Sequence, residues 1–328
     1  MRFAYFCGHE QWHPEELVFH AQLAERAGFD MCIVSEHFHP WVDDHSASGF
    51  AYSTIGAMAQ ATSSMAFATG VTTPLFRYHP GLVAQAAATL DRLSGGRFHL
   101  GVGTGENINE GPLGLPFPAY AERAARMSEA LDIMRRLLDG EKLDYEGEYY
   151  RTDKAKLYSP PMGPVPIWMA AGGPKSATLA GTKAQGVIVS VKDPDETFEK
   201  VIIPARKAAE EAGNPPPTIA ASLWTIYAKD HDEAWDVLRP WRGLRAPGRL
   251  QAVDPAELRH AADDLPREDI LSRYSIASTP AEIIETYLPL VEEIGADVVT
   301  IQIAGSDQAA TIAMLGREVI PALQAAAG

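Results

Sequence analysis

Cysteine is scarce in this chain: only Cys7 and Cys32 occur in 328 residues, both inside apolar strand-like runs. A disulfide framework is therefore not expected, a reducing compartment fits best, and both residues read as buried structural thiols. Positive charge is scarce too, with 28 Lys and Arg against 43 Asp and Glu, a net charge of −15. Such an exterior repels phosphate backbones and anionic bilayers, so neither nucleic acid nor a membrane is expected as a partner. An anionic small ligand would need a local basic pocket, which gives weight to the few clustered cations. Long apolar runs are missing as well. No stretch of about 18 apolar residues occurs, and the opening "MRFAYFCGHEQW" has neither a long apolar h-region nor a small-residue cleavage site. These absences lead to the expectation of a cytoplasmic protein. Disorder is not a serious reading, because 46% hydrophobic with 22% charged residues is ordinary for a chain that buries a large core.

What is present is an alternation. Short β-rich runs are each followed by a longer helical pattern: "RFAYFCG" then Pro14 to Ala27, "MCIVSEHF" then Tyr52 to Thr62, "MAFATGV" then Pro80 to Leu93, "FHLGVGTG" then Ala119 to Leu138. It continues with "PIWMAAGG" then Pro174 to Lys183, "GVIVSVK" then Pro194 to Ala212, "TIAASLWTIYA" then Asp232 to Leu238, and "DVVTIQIAG" then Gln308 to Ala326. Near-continuous apolar strands indicate burial on both faces, and strand-then-helix repetition forces parallel pairing. Eight such units predict an α/β (β/α)8 TIM barrel, with residues 1–328 as one domain. Two excursions read as insertions, Glu141 to Gly163 after strand four and the Arg-studded Trp241 to Ser278 after strand seven. A doubly wound fold is the competing architecture, but "GVGTGE" follows the fourth strand and has the wrong glycine spacing for a dinucleotide turn.

In a barrel, chemistry collects at the C-terminal ends of the strands. Strand two ends in Glu36, His37, His39 and Trp41, strand three in Gly70 to Thr73, strand four in Thr104 to Glu106 and Asn109, strand five in Gly172 and Gly173, and strand six in Ser190 and Lys192. The His37-x-His39 pair could open a metal site, yet strands five, six and eight end without further His ligands, so no metal is expected. In "AAGGPKSA" two glycines precede Pro at the first helical position, a phosphate-type nest at a helix N-terminus or a plain strand-to-helix turn. Together, nest and cluster suggest a phosphate-bearing organic cofactor faced by proton-transfer groups.

At "SEHFHPW", "TPLFRYHP", "LGVGTGENINE", "EGEYYR" and "AAGGP", in matched order over nearly the full length, the chain resembles the F420-dependent glucose-6-phosphate dehydrogenase family of the luciferase-like superfamily. The resemblance implies a (β/α)8 barrel, usually a homodimer, that uses the deazaflavin F420 and oxidises a hydroxyl by hydride transfer. It implies His37 as general base, Glu106 as acid, Trp41 packed at substrate and ring, and Glu10 near the reacting centre. Glu36, Gly70, Val71, Thr73, Thr104, Asn109, Ala171, Gly172, Gly173 and Pro174 fall in cofactor-contacting segments, Gly70–Val71 at a bulge with a non-prolyl cis peptide. Lys192, Arg249 and Arg273 match cations that hold a sugar 6-phosphate. Departures are Glu36 in place of an Asp, Arg249 in place of a Lys, and Leu250 in place of a His. The expected substrate is therefore a sugar 6-phosphate, with glucose, fructose and mannose phosphates all open. The alternatives are an F420-dependent enzyme acting on a non-phosphorylated alcohol, an FMN-dependent monooxygenase, and a metal-dependent hydrolase.

Overall fold

The structure is a computed structural model that describes residues 1–327. Its strands are β1 (Arg2–Cys7), β2 (Met31–Val34), β3 (Ala66–Thr69), β4 (Phe98–Val102), β5 (Leu143–Glu146), β6 (Arg151–Ala155), β7 (Ile167–Ala170), β8 (Gly186–Ser190), β9 (Thr218–Tyr227), β10 (Ser275–Ala277) and β11 (Val298–Gly305). The order β9-β11-β1-β2-β3-β4-β7-β8 closes on itself because β8 also pairs with β9. Every pairing around this ring is parallel. The result is the eight-stranded barrel anticipated from the alternation, with β10 added alongside the end of β9.

Period two decides which residues face which layer. Phe3, Tyr5, Cys7, Cys32, Val34, Phe67, Val187 and Ile301 join the helices in the main core, while the alternate Ala4, Met31, Ile33, Ala68, Trp168, Ala220 and Val298 fill the lumen. Both cysteines are buried free thiols. At the N-terminal end of the lumen Trp168 packs on His99, ring centroids 4.7 Å apart, with the Arg2 guanidinium 5.8 Å from the indole. Burial, reinforced by the charge of Arg2, pushes the His99 imidazole down to about 4.

Both insertions are present. The first is the antiparallel hairpin β5–β6. The second runs from the 3-10 turn Arg239–Arg245 through helices Pro255–Asp263 and Arg267–Leu271 to β10. It has its own core, in which Trp241, Leu258, Ile270 and Tyr274 pack on Trp224 of β9 and on Trp41. Buried Arg242 anchors it, bonded to Asp44 (2.9 Å) and Asp263 (2.7 Å). A Cβ on Gly243 would lie 2.1 Å from the Trp41 carbonyl oxygen, so only glycine permits this approach.

The expected helices are found with ends shifted by a residue or so, apart from two. The helices of the sixth and eighth units are interrupted internally by π segments, Phe198–Ile202 and Leu315–Val319. One further helix, Pro280–Glu292, was not anticipated, and it is this one, rather than His231–Leu238, that packs beside the C-terminal helix Ile320–Ala326.

Candidate active site

The cavity lies over the C-terminal ends of the strands and has a volume of about 1640 Å³. Its floor is the top of the lumen, made by the inward residues Phe6, Ile33 and Ile188 with Val71. The β3 ladder breaks here: Gly70–Val71 is a cis peptide, Gly70 N–H donates to the Val34 carbonyl (2.7 Å), and pairing with β4 resumes at Thr72.

His37 stands three residues beyond the end of β2, and its two ring nitrogens have distinct surroundings. Nδ1 lies 3.1 Å from the His39 carbonyl oxygen. A carbonyl only accepts, so Nδ1 carries the hydrogen, and Nε2 is the nitrogen that gains or gives up a proton. Nε2 is 3.4 Å from Glu10 Oε1 and 3.9 Å from Glu106 Oε2. Glu10, only 2% exposed, is fixed from behind: His9 N–H donates to Ser35 Oγ (2.8 Å), and the Ser35 hydroxyl donates to Glu10 Oε2 (2.5 Å). The Trp41 indole meets the His37 ring edge-on, centroids 4.9 Å apart.

Glu106 reaches the cavity from the turn after β4 and is ion-paired with Arg249, whose guanidinium also lies 5.5 Å from the Trp41 ring centroid. Two further contacts join the second insertion to the same loops, Asn107 Nδ2 to the Gln251 carbonyl (2.7 Å) and His39 Nδ1 to the Val253 carbonyl (3.1 Å). Both imidazoles of the His-x-His pair thus have a backbone carbonyl at Nδ1. Among the described residues no group of three or more His, Cys, Asp and Glu is placed to hold a metal ion.

Glu36, buried in the wall, accepts from Arg77 Nη2 (2.8 Å) and Tyr78 OH (3.2 Å). Arg77 also faces Glu110 at 3.9 Å, so one guanidinium serves two buried carboxylates. Burial pushes both carboxyls up, and Arg77 opposes it. Asn109 accepts from Phe38 N–H (2.8 Å).

Of the residues singled out in the sequence, Glu10, Glu36, His37, Trp41, Gly70, Val71, Thr73, Thr104, Glu106, Asn109, Ala171, Gly172, Gly173, Pro174, Lys192 and Arg249 all line this one cavity. Arg273 does not: it is exposed, and its Nη1 donates to the Arg245 carbonyl (2.5 Å). Residues the sequence reading passed over are Ser35, Arg77 and the cavity-lining Arg245, Lys175 and Arg123. Ser35 had a signal, since it stands two positions before His37 in "SEH".

The walls suit a flat ring with a phosphate-bearing chain. An added Cβ at Gly172 or Gly173 meets nothing within 4 Å, so the wall there is bare backbone. It leads into the helix Pro174–Lys183, whose N-terminus has no side-chain cap. The first intrahelical bond runs from Ala177 N–H to the Gly173 carbonyl, so the amides of Lys175 and Ser176 have no helical acceptor.

A family profile described as luciferase-like monooxygenase matches residues 1–297. An F420-dependent glucose-6-phosphate dehydrogenase of Nakamurella multipartita is 37% identical over 100% of this chain and 98% of its own length. The F420-dependent hydroxymycolic acid dehydrogenase of Mycobacterium tuberculosis is 39% identical over 83% of this chain and 75% of that protein. Among solved structures, an F420-dependent secondary alcohol dehydrogenase in complex with an F420-acetone adduct superposes with a TM-score of 0.91 at 32% identity, covering 98% of each chain. The chain belongs to the luciferase-like family and, within it, to the group that resembles F420-dependent glucose-6-phosphate dehydrogenases.

Proposed function

We propose that this protein is an F420-dependent dehydrogenase that oxidises the hydroxyl of a sugar 6-phosphate. One observation carries the reading: an imidazole nitrogen, His37 Nε2, faces the cavity between two carboxylates at 3.4 and 3.9 Å. Bound F420 supplies a carbon hydride acceptor that does not usefully activate oxygen. Gly172, Gly173, Pro174 and the amides of Lys175 and Ser176 would hold its phosphate, and Phe6, Ile33 and Val71 would lie under its ring. His37 Nε2 takes the hydroxyl proton as the carbon-bound hydride leaves. Glu10 and Glu106 hold the resulting imidazolium, and the His39 carbonyl keeps Nε2 the reactive nitrogen. Lys192 and Arg249 supply cations for the substrate phosphate.

A second reading, a non-phosphorylated secondary alcohol, is favoured by one feature. Arg249 is already held by Glu106, and a neutral substrate would leave that pair intact. The deciding experiment mixes the protein with oxidised F420, and separately with FMN, and follows visible absorbance as sugar 6-phosphates and plain secondary alcohols are added. Bleaching of F420 by a sugar phosphate alone supports the first reading. Bleaching by plain alcohols alone replaces it with the second. A homodimer and residence in the cytoplasm belong to the same proposal. The two free, buried thiols support the second of these, and light scattering on a sizing column tests the first.

A further inference from the structure

The second insertion carries many guanidiniums, and most have an acidic partner: Arg239 pairs with Asp236, Arg242 with Asp44 and Asp263, Arg249 with Glu106, Arg259 with Asp43 and Arg267 with Asp232, whereas exposed Arg273 bonds only to a carbonyl. Arg245 differs. It lines the cavity, is half-buried, and has no carboxylate within ion-pairing distance among the described residues. Its Nε is buried with no hydrogen-bond partner. Its guanidinium lies 5.3 Å from the ring centroid of buried Tyr274, whose hydroxyl donates to the Trp241 carbonyl (2.9 Å) and so fixes the surface under the arginine. Arg249 and Arg273 are close by as well, and the three cations together oppose the rise that burial imposes on the Tyr274 phenol.

Three clustered guanidiniums with one carboxylate among them repel one another, and a partly desolvated cation left without a counter-charge is unfavourable. A dianion on the cavity side would relieve both. Arg273 is exposed and does not line the cavity, and its Nη1 donates to the Arg245 carbonyl, so the arm on the cavity side is drawn from the other two. We propose that Arg245 and Arg249 form the arm that grips the dianionic group of the substrate, a phosphate monoester. The choice of ligand rests on the function proposed above. The assignment of Arg245 rests on its position.

The test titrates the F420-loaded protein with inorganic phosphate by calorimetry at fixed ionic strength, so that the cofactor fills its own cradle. Wild type is compared with R245Q, R245K and R273Q. Loss of a charge-assisted contact predicts that R245Q weakens phosphate roughly tenfold or more and raises KM for a sugar 6-phosphate in proportion, with kcat changed by no more than about threefold. R245K, which keeps the charge and guards against a folding defect, falls between R245Q and wild type, and R273Q changes phosphate binding by about threefold at most. Phosphate binding unchanged in R245Q, R273Q as damaging as R245Q, or no binding to wild type overturns the proposal. Arg245-dependent phosphate binding without oxidation of any sugar phosphate supports the arm and removes the substrate reading instead.

Discussion

Replacing Glu10 by Gln keeps the shape of a buried side chain and removes one charge beside the reacting nitrogen. The carboxylate stands 3.4 Å from His37 Nε2, with side chains 3% and 11% exposed. At an effective dielectric of about 20, a unit charge pair at that separation attracts by about 5 kcal/mol. A transition state in which about half a proton charge has reached Nε2 gains about half of this, roughly 2.5 kcal/mol or two powers of ten in rate. Glu106 cannot make up the loss, because it is 0.5 Å farther from Nε2 (3.9 Å against 3.4 Å) and shared with Arg249. The amide oxygen that E10Q introduces can still accept from the Ser35 hydroxyl, so the fold is preserved. The expected result for E10Q is a kcat lower by roughly a hundredfold with KM changed by less than about threefold, since the interaction forms only as the proton moves. Steady-state bleaching of F420 by the preferred alcohol measures both constants. A kcat within about threefold of wild type at every pH would refute the role of this carboxylate in holding the proton.

Gly243→Ala places a methyl against the Trp41 carbonyl, which lies 2.1 Å from the ideal Cβ, and a destabilisation of about 2 kcal/mol follows from overpacking. Calorimetry should show a Tm lower by several degrees, and an unchanged Tm removes the close approach. Arg242→Gln leaves Asp44 and Asp263 facing each other without their cation. Both carboxylates are 40% exposed, so solvent screening reduces the loss to about 1–2 kcal/mol, read by urea denaturation. His99 sets an acid limit: its folded imidazole protonates near 4 and the unfolded one near 6.5. Between these values the unfolded chain binds the extra proton, so stability falls as pH drops through the window, by about 3 kcal/mol in total. H99F should flatten the dependence of Tm on pH between 6.5 and 4. An unaltered acid limb in that variant shows that other groups set it.

The barrel was legible because parallel strands buried on both faces read as short apolar runs, and eight were counted. The helix Pro280–Glu292 was overlooked, with Pro289 inside it and a long excursion before it. Its start was nevertheless readable, since "TPAE" is a capping box, and Thr279 and Glu282 bond reciprocally. The π segments had no signal, because a one-residue widening leaves the apolar pattern almost unchanged. At the site, His37, Trp41 and Glu106 stood out as polar groups at strand ends, whereas Glu10 came only from the resemblance. The insertion was the hardest part to read. In a stretch carrying Arg242, Arg245, Arg249 and Arg273, residue type does not say which guanidinium turns inward; Arg273 bonding to the Arg245 carbonyl is a tertiary fact.

The division between barrel and insertion bears on how such proteins diverge. Glu10, His37 and Glu106 come from the ends of β1, β2 and β4, while Arg245, Arg249 and Leu250 come from a segment with a separate core of its own. The segment meets the catalytic loops through polar links at Glu106, Asn107 and His39 and through its packing on Trp41. Recombining that segment between relatives, with Gly243 and the Arg242 anchor retained, would exchange what is recognised while the proton-handling apparatus stays intact, so the boundary near residue 239 is a natural crossover point for building chimeric dehydrogenases.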